Sequence, residues 1–582
     1  MILSDALITT LADLGVSHIF SVSGANIELI HDAVHRLCGN KLQTVLCKSE
    51  SGAAFMADGF ARKSQSLGVC SATSGGGMMN LAAGIAESQT QGIPVFAIIG
   101  QIPKSQEGIG GFQDSSGQGG SINALAMWQA ITKYSCKIET AENFWQYFHE
   151  CLSASINGKQ GASAMLIPRD LMSMEVGPKP NNFLASLTPQ PYELTEHNQQ
   201  QINRATDLLK QAKRPIAILG EAVARSSAYE PLKQWLKSCH IHTTTTLANI
   251  AAFDHQHPLY LGTVGITGHP STHLCLQEAD LIIAIGTTLD VMSVGPLHTT
   301  LAQQPLIVIN PTLQALDPAL NAQVKIEADF APVLEALKQQ LPTLSSPTTF
   351  KNAALTKQPA LLSAEKQQGL RQSQALATIN TLLPEGGHLL FDAGNCAAAA
   401  AHYLDAPPHS QASIALGMGG MGYGVAAAIG VALAQQKMSN QKDKHTTVFC
   451  GDGAFLMNGF EVHTAVELQL PILWIVFNNN KHGMCVTRQQ TFLEHRIECS
   501  EFSKPISISQ ISRGLAKSQD LTVACASNTE EIKHFLQGYW QQEQRGPAVL
   551  ELMITVDEIP PFIPFINAHR LKQTQAKAES VE

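Results

Sequence analysis

GDGAFLMNGFEVHTAVELQLPILWIVFNNN, residues 451–480, opens with an acid between two glycines and closes on three consecutive asparagines. The run TVFCGDG reads as a strand that leaves Asp452 at its carboxyl end, the edge where open α/β sheets bind ligands. Gly451 and Gly453 permit a sharp turn and close approach of a ligand to the backbone. FLMNGFEVHTAVELQL can form a helix whose N-terminus favours phosphate. PILWIVF then returns as a parallel strand and delivers Asn478 and Asn479 to the same edge, completing a βαβ crossover. A carboxylate and an amide carbonyl, both hard oxygen donors, converging on a diphosphate describe an octahedral Mg2+ site. Separately, GDG is a common turn and NNN a polar strand end. Together, with a strand leading into each, they favour the metal–diphosphate reading. Asn480 is assigned to the following loop and not to the metal.

The same alternation of short apolar strands with amphipathic segments runs through the chain. HIFSV, SLGVCSAT and PVFAIIG come early; PIAILG, LIIAIG and PLIVIN lie in the middle; HLLFDAG, TVFCGDG and PILWIVFN come late. Such alternation predicts parallel sheets covered by helices. Two polar, proline-bearing stretches, 176–197 and 345–369, read as linkers. They divide 582 residues, too many for one core, into three doubly wound α/β domains at 1–175, 198–344 and 370–565. The first and last blocks read as similar folds. The polar C-terminal stretch HRLKQTQAKAESVE is expected to fray.

Composition excludes several classes. The net charge of −9, with no cluster of Lys and Arg, gives a nucleic-acid partner no electrostatic support. No apolar run reaches the ~18 residues of a membrane span. The N-terminal pattern is that of neither a signal nor a transit peptide, so a cytoplasmic location is expected. The twelve cysteines form no CxxC pair, which predicts buried small hydrophobes and no disulfide framework or zinc site.

GDG followed at this distance by NN resembles the signature of the thiamine-diphosphate-dependent enzymes. That resemblance implies Mg2+ ligation by Asp452, Asn479 and the main-chain carbonyl of Lys481, with Gly451, Gly453 and Ala454 against the diphosphate. It extends to the first block, where ESGAAFMADGFAR (50–62) is similar to the segment carrying the family's catalytic glutamate. Glu50 would then hydrogen-bond the aminopyrimidine ring of the cofactor and govern its proton exchange. The bland alternative is a helix N-terminal glutamate favoured by the dipole.

Further segments resemble the acetolactate-synthase-like branch: TSGGGMMNLAAGIAESQTQGIPVFAIIG (73–100), GMGGMGYGVAAAIG (417–430), HGMCVTRQQTFLEHR (482–496) and RGPAVLELMITVDEIPPFIP (545–564). In GMGGMG the resemblance makes Met421 the apolar wedge beneath the cofactor. Gly419, Gly394, Asn395, Cys396, His482, Gly483 and Met484 complete the implied cofactor contacts. The three blocks then correspond to pyrimidine-binding, middle and diphosphate-binding domains. GMGGMG (417–422) also satisfies G-x-G-x-x-G, but HSQASIAL before it reads as a poor strand and no acid follows at the required distance, so a dinucleotide fingerprint is not expected.

The implied reaction is decarboxylation of a 2-keto acid followed by joining of the activated aldehyde to a second carbonyl compound. GFQ (111–113) resembles a Phe-Gln pair of the synthase pocket, making Phe112 and Gln113 candidate substrate contacts. Ala25, in VSGAN, stands where decarboxylases often carry a polar group. Two positions depart from the branch. GTTLDVM (286–292) puts Met292 where the synthases have an arginine, and Arg488 stands where their last cofactor loop has a tryptophan. Arg488 could supply the lost anion contact, or be a solvated surface charge. The alternative function is a non-ligating 2-keto acid decarboxylase or an acyloin lyase. No flavin is expected, because ILGEAVA (218–224) lacks the Gly-rich turn of the FAD-binding relatives. The resemblance implies a homodimer or homotetramer.

Overall fold

The computed structural model describes the chain except for residues 189–192, 345–349, 351–353, 363–368, 439–444 and 580–582. Three six-stranded sheets organise it. In the first, the spatial order is Gln43–Leu46, His18–Ser21, Gly68–Ala72, Val95–Gln101, Ala162–Pro168 and Tyr134–Lys137. In the third, it is Ser410–Ile414, Gly387–Phe391, Thr446–Gly451, Ile472–Asn478, Ala548–Met553 and Thr522–Ala526. Counting strands in chain order within each domain, both sheets run 2-1-3-4-6-5. The expected likeness of the first and last blocks is therefore one of topology.

The middle sheet differs. It runs Tyr260–Thr263, His242–Thr245, Pro215–Leu219, Leu281–Ile285, Leu306–Asn310 and Val324–Glu327, the 3-2-1-4-5-6 order of dinucleotide-binding folds. All the strand pairs in the three sheets are parallel. Central strands such as Val95–Gln101, Leu281–Ile285 and Ile472–Asn478 are buried along their whole length. Helices cover both faces of each sheet, which is why these strands read as unbroken apolar runs.

The first and third domains share one apolar core that runs from Phe20 and Phe60 to Tyr423 and Trp474. Its seam is the contact between helices Glu50–Ser64 and Tyr423–Lys437. Glycines let the two backbones meet: a Cβ on Gly59 would lie 2.3 Å from the Ala427 carbonyl oxygen, and one on Gly430 1.9 Å from that of Met56.

Four local readings need correction. The segment after Asp452 is not one helix but two, Asp452–Asn458 and Val462–Glu467, joined by a 3-10 turn at Gly459–Glu461. The break turns Asn458 and Glu461 toward Ser49 of the first domain. HSQASIAL, read as a poor strand, contains the strand Ser410–Ile414; it lies at a sheet edge, so one neighbour suffices and its sequence is less apolar. Stretch 176–197 contains the helix Phe183–Leu187, whose Phe183 and Leu187 are buried in the first domain's core. The C-terminal stretch, expected to fray, continues the helix Ile563–Glu579 as far as 579, and 580–582 lie outside the described residues. Of the second linker, 345–349, 351–353 and 363–368 lie outside the described residues, while Leu361–Leu362 pairs with Glu558–Ile559.

Candidate active site

Asp452 is the first residue of its helix, directly behind the strand Thr446–Gly451, and is 2% exposed. Its Oδ1 accepts from the Gly453 N–H at 2.7 Å and its Oδ2 from the Asn479 N–H at 3.2 Å. Burial pushes this carboxyl above the usual range; the N–H groups of Gly453, Asn480, Lys481 and Asn479 oppose the shift. A desolvated carboxylate ringed by main-chain donors is an anion still short of a counter-charge.

The three asparagines separate into three roles. Asn478 is fully buried and donates its side-chain amide to Glu551 Oε1 at 2.7 Å and to the Ile506 carbonyl at 2.9 Å, so it locks the sheet edge. Asn479 faces the cleft and touches Asp452 through its main chain. Asn480 takes a left-handed φ of 57° and accepts the Ile506 N–H at 2.7 Å, tying down the loop that follows. Lys481 lines the cleft and pairs its ammonium with Asp557 at 2.7 Å.

The cleft, of about 200 Å³, is lined by Asn395, Asn479, Lys481, Gly483, Val486 and Thr487, and closed by residues 556–559 and His569. Asn395 begins the helix Asn395–Tyr403 behind Gly394, whose φ is 113°. Its amide nitrogen donates to Thr487 at 3.2 Å, while its buried Oδ1 has no hydrogen-bond partner. A Cβ on Gly483 would lie 3.1 Å from the Asn479 and 3.3 Å from the Asn395 side-chain nitrogen. A Cβ on Gly453 would lie 2.7 Å from the His482 ring and 3.2 Å from Met421 Cε. The cleft therefore brings together Asn479, Lys481, Asn395 and Gly483, with the buried Asp452 joined to its wall through the Asn479 N–H and with Gly453, His482 and Met421 meeting beside it. Cys396 Sγ lies 3.9 Å from a Cβ placed on Gly451, and Ala454 is buried in the first turn after Asp452. Met484, half-buried, and Arg488, exposed, follow on helix Gly483–Phe492, and neither lines the cleft.

A second group forms on the first domain. Glu50 opens helix Glu50–Ser64, where Ser49 caps the Gly52 N–H at 3.0 Å. Its Oε2 accepts from Asn80 Nδ2 at 3.0 Å; Oε1 has no hydrogen-bond partner among the described residues. Beside it, Gln113 packs on Gly75 with a φ of 64°, and Ala25 and Phe112 are exposed, Phe112 to 85%. Among the described residues no hydrogen bond joins Glu50 to the Asp452 cleft, and Glu50 does not line it.

Several carboxylates that position these groups carried no motif. Glu87 accepts the N–H groups of Gly417, Met418 and Gly419 at 3.1, 2.5 and 3.2 Å. Asp392 holds the other end of the same loop through the Gly422 and Gly424 N–H groups at 2.9 and 2.8 Å. Burial raises the Asp392 carboxyl to about 6 against the pull of these N–H groups. The clue was the glycine run itself: consecutive N–H groups in a turn need an anionic acceptor. Because Glu87 supplies one from inside the protein, G-x-G-x-x-G at 417–422 has no free N–H nest at residues 417–419 to offer a dinucleotide. Among the described residues no three His, Cys, Asp or Glu side chains gather as a metal site. One carboxylate, one amide and a main-chain carbonyl form a set of a different kind.

All twelve cysteines are free and nine are buried; Cys485, Cys499 and Cys525 are exposed. Among the described residues no helix is long and apolar enough to cross a membrane.

Comparison with known proteins matches three family descriptions in order: thiamine pyrophosphate enzyme N-terminal TPP-binding domain at residues 1–120, central domain at 202–337, and C-terminal TPP-binding domain at 392–552. The chain is 27% identical to the acetolactate synthase isozyme 2 large subunit of Escherichia coli K12 over 83% of its length and 84% of the relative's. It is 27% identical to an acetolactate synthase of Arthrospira platensis, over 95% of this chain and 94% of the relative. It is 26% identical to the mitochondrial acetolactate synthase catalytic subunit of Saccharomyces cerevisiae, over 95% of this chain and 80% of the relative.

Proposed function

Since the chain belongs to the thiamine-diphosphate-dependent enzymes, of the acetolactate-synthase-like kind, we propose that it is a carboligase that decarboxylates a 2-keto acid and joins the remaining fragment to a second carbonyl compound. The observation that carries this is the cleft edge itself: a buried, N–H-ringed Asp452 beside Asn479, with Asn395, whose buried Oδ1 has no hydrogen-bond partner, lining the same cleft as Asn479. A hard cation with a diphosphate would answer both the carboxylate and the open space beside Gly394 and Gly419, where an added Cβ would meet nothing within 4 Å. The residues fit the group.

Asp452, Asn479 and the carbonyl of Lys481 would hold Mg2+; Gly451, Gly453, Ala454, Gly394, Asn395 and Cys396 would hold the diphosphate. Gly419, Met421, His482, Gly483 and Met484 would support the rest of the cofactor. When bound, thiamine diphosphate supplies a carbon nucleophile and an electron sink for loss of the substrate's carboxyl group. Glu50 holds and returns a proton at Oε1, while Asn80 fixes its Oε2. Ala25, Phe112 and Gln113 would line the substrate end, where the shortage of proton donors leaves the second carbonyl as the better partner. Arg488 would hold the carboxylate of a 2-keto acid.

The two half-sites belong to different chains in this reading, which makes the enzyme a homodimer or a homotetramer. Large apolar side chains exposed near them support it: Phe112 at 85%, Phe460 at 64% and Met457 at 57%. We assign the site no flavin. Although the middle sheet has a dinucleotide-binding order, its first turn carries Glu221 where a pyrophosphate would need donors. Free cysteines suit a reducing compartment, taken here as the cytoplasm.

A non-ligating decarboxylase or acyloin lyase is favoured by one feature, Met292, which packs on the third domain's apolar core and brings no charge to an acceptor. Incubation with thiamine diphosphate, Mg2+ and pyruvate, followed by product identification, separates the two. The proposal expects a condensation product; acetaldehyde alone would favour the second reading.

A further inference from the structure

We propose that the junction of the three domains holds a small inorganic anion of halide size between Arg62 and Arg225. A cavity of about 30 Å³ lies there and shares no lining residue with the cofactor cleft. Arg62 comes from the helix Glu50–Ser64, Glu221, Arg225 and Asn249 from turns of the middle domain, and His388 and Gln411 from two paired strands of the third.

Buried polar nitrogens without partners belong to the residues that line it. Arg62 Nη2, Asn249 Nδ2 and His388 Nδ1 have no hydrogen-bond partner among the described residues. Asn249 and His388 are each 3% exposed, and the Arg62 side chain 7%. Arg62 commits its Nε to Asp58 at 2.6 Å, but Nη2 reaches only Glu87, at 3.9 Å. Arg225 makes one long hydrogen bond, from Nη2 to the Gln91 carbonyl at 3.4 Å. Burial and the charge of Arg62 together push the Arg225 guanidinium below its usual value, with Glu221 opposing.

Guanidinium and amide nitrogens donate only. A water molecule accepts from at most two of them and brings no charge to Arg225, which, unlike the Asp58-paired Arg62, has no ion-pair partner among the described residues. An anion accepts from all of them and supplies Arg225 with a counter-charge. Glu221 is the cavity's own carboxylate, but burial raises its pKa and makes it a reluctant counter-charge. A cavity of about 30 Å³ has room for a halide. Bound there, the ion would fasten the three domains to one another.

Crystals of the full chain soaked in bromide should show an anomalous peak between Arg62 and Arg225; no peak there overturns the proposal. In solution, chloride in place of gluconate at equal ionic strength should raise the wild-type Tm by about 2 °C. Arg225→Gln and Asn249→Ala should each lose that increment while still melting in one transition. An equal response of wild type and both variants to chloride also overturns it.

Discussion

The carboxylate of Glu461 lies 3.0 Å from the main-chain nitrogen of Ser49, the residue immediately before Glu50. It also accepts the Lys48 N–H at 3.0 Å and the Thr464 hydroxyl at 2.8 Å. The segment that follows Asp452 on the third domain thus pins the N-terminus of the helix that presents Glu50. Burial raises the Glu461 carboxyl, while those donors pull it down. Glu461→Gln keeps the shape but replaces one acceptor oxygen with a donor beside donors. We expect a loss of about 1–3 kcal/mol of stability in urea unfolding, together with a fall in kcat larger than the change in KM.

Glu50→Gln should retain cofactor binding, because the proposed Mg2+ and diphosphate contacts come from the Asp452 side and not from Glu50. Turnover of pyruvate should fall by about 10²–10⁴-fold. Calorimetric titration with thiamine diphosphate and a steady-state assay check the two halves separately. Equal turnover in variant and wild type would remove Glu50 from its role.

Arg488→Ala tests the anion contact. Arg488 is exposed on the helix Gly483–Phe492 in the single chain, so a structural role predicts no change. A contact to the substrate carboxylate predicts a KM for the 2-keto acid raised by about 10-fold or more. An unchanged KM sinks the assignment.

Acid should loosen the junction of the middle and third domains. His269 and His402 stack at 4.5 Å, and each ring accepts a main-chain N–H and donates to a main-chain carbonyl. His255 does the same between Ala406 and Ile250. Burial lowers all three, His402 to about 4 and His269 well below its usual value; Lys357 lowers all of them further and Asp405 raises His255. A folded-state pKa below the unfolded 6.5 means the unfolded chain binds more protons in acid. The stabilisation is therefore whole above pH 6.5 and is lost as the pH falls toward about 4. The urea midpoint should drop across that window and stay flat from pH 7 to 8. No drop would show that the rings titrate normally.

What could be read in sequence followed burial. All nine strands read as apolar runs are real, and each has neighbours on both sides in its sheet. The six edge strands were not read as such; in Gln43–Leu46 and Thr522–Ala526 a single neighbour leaves the strand largely exposed and its residues mixed. His242–Thr245 was missed for another reason: it is fully buried yet polar, its hydroxyls satisfied by carbonyls such as that of Gly262. At the site, glycines and acids at strand ends announced Asp452 and its neighbours. Glu87, Asp392 and Glu461 did not, because they act on main-chain N–H groups contributed by distant segments, and no local spacing records that.

In the proposed dimer one catalytic site is split between Glu50 of one chain and Asp452 of another. Mixing Glu50→Gln and Asp452→Asn chains, each inactive alone, measures this directly. With thiamine diphosphate, Mg2+ and pyruvate, random hybrids of a two-fold dimer should recover about a quarter of wild-type product formation. A mixture as inactive as its parents, with hybrids demonstrably formed, would show that the site is not shared between chains.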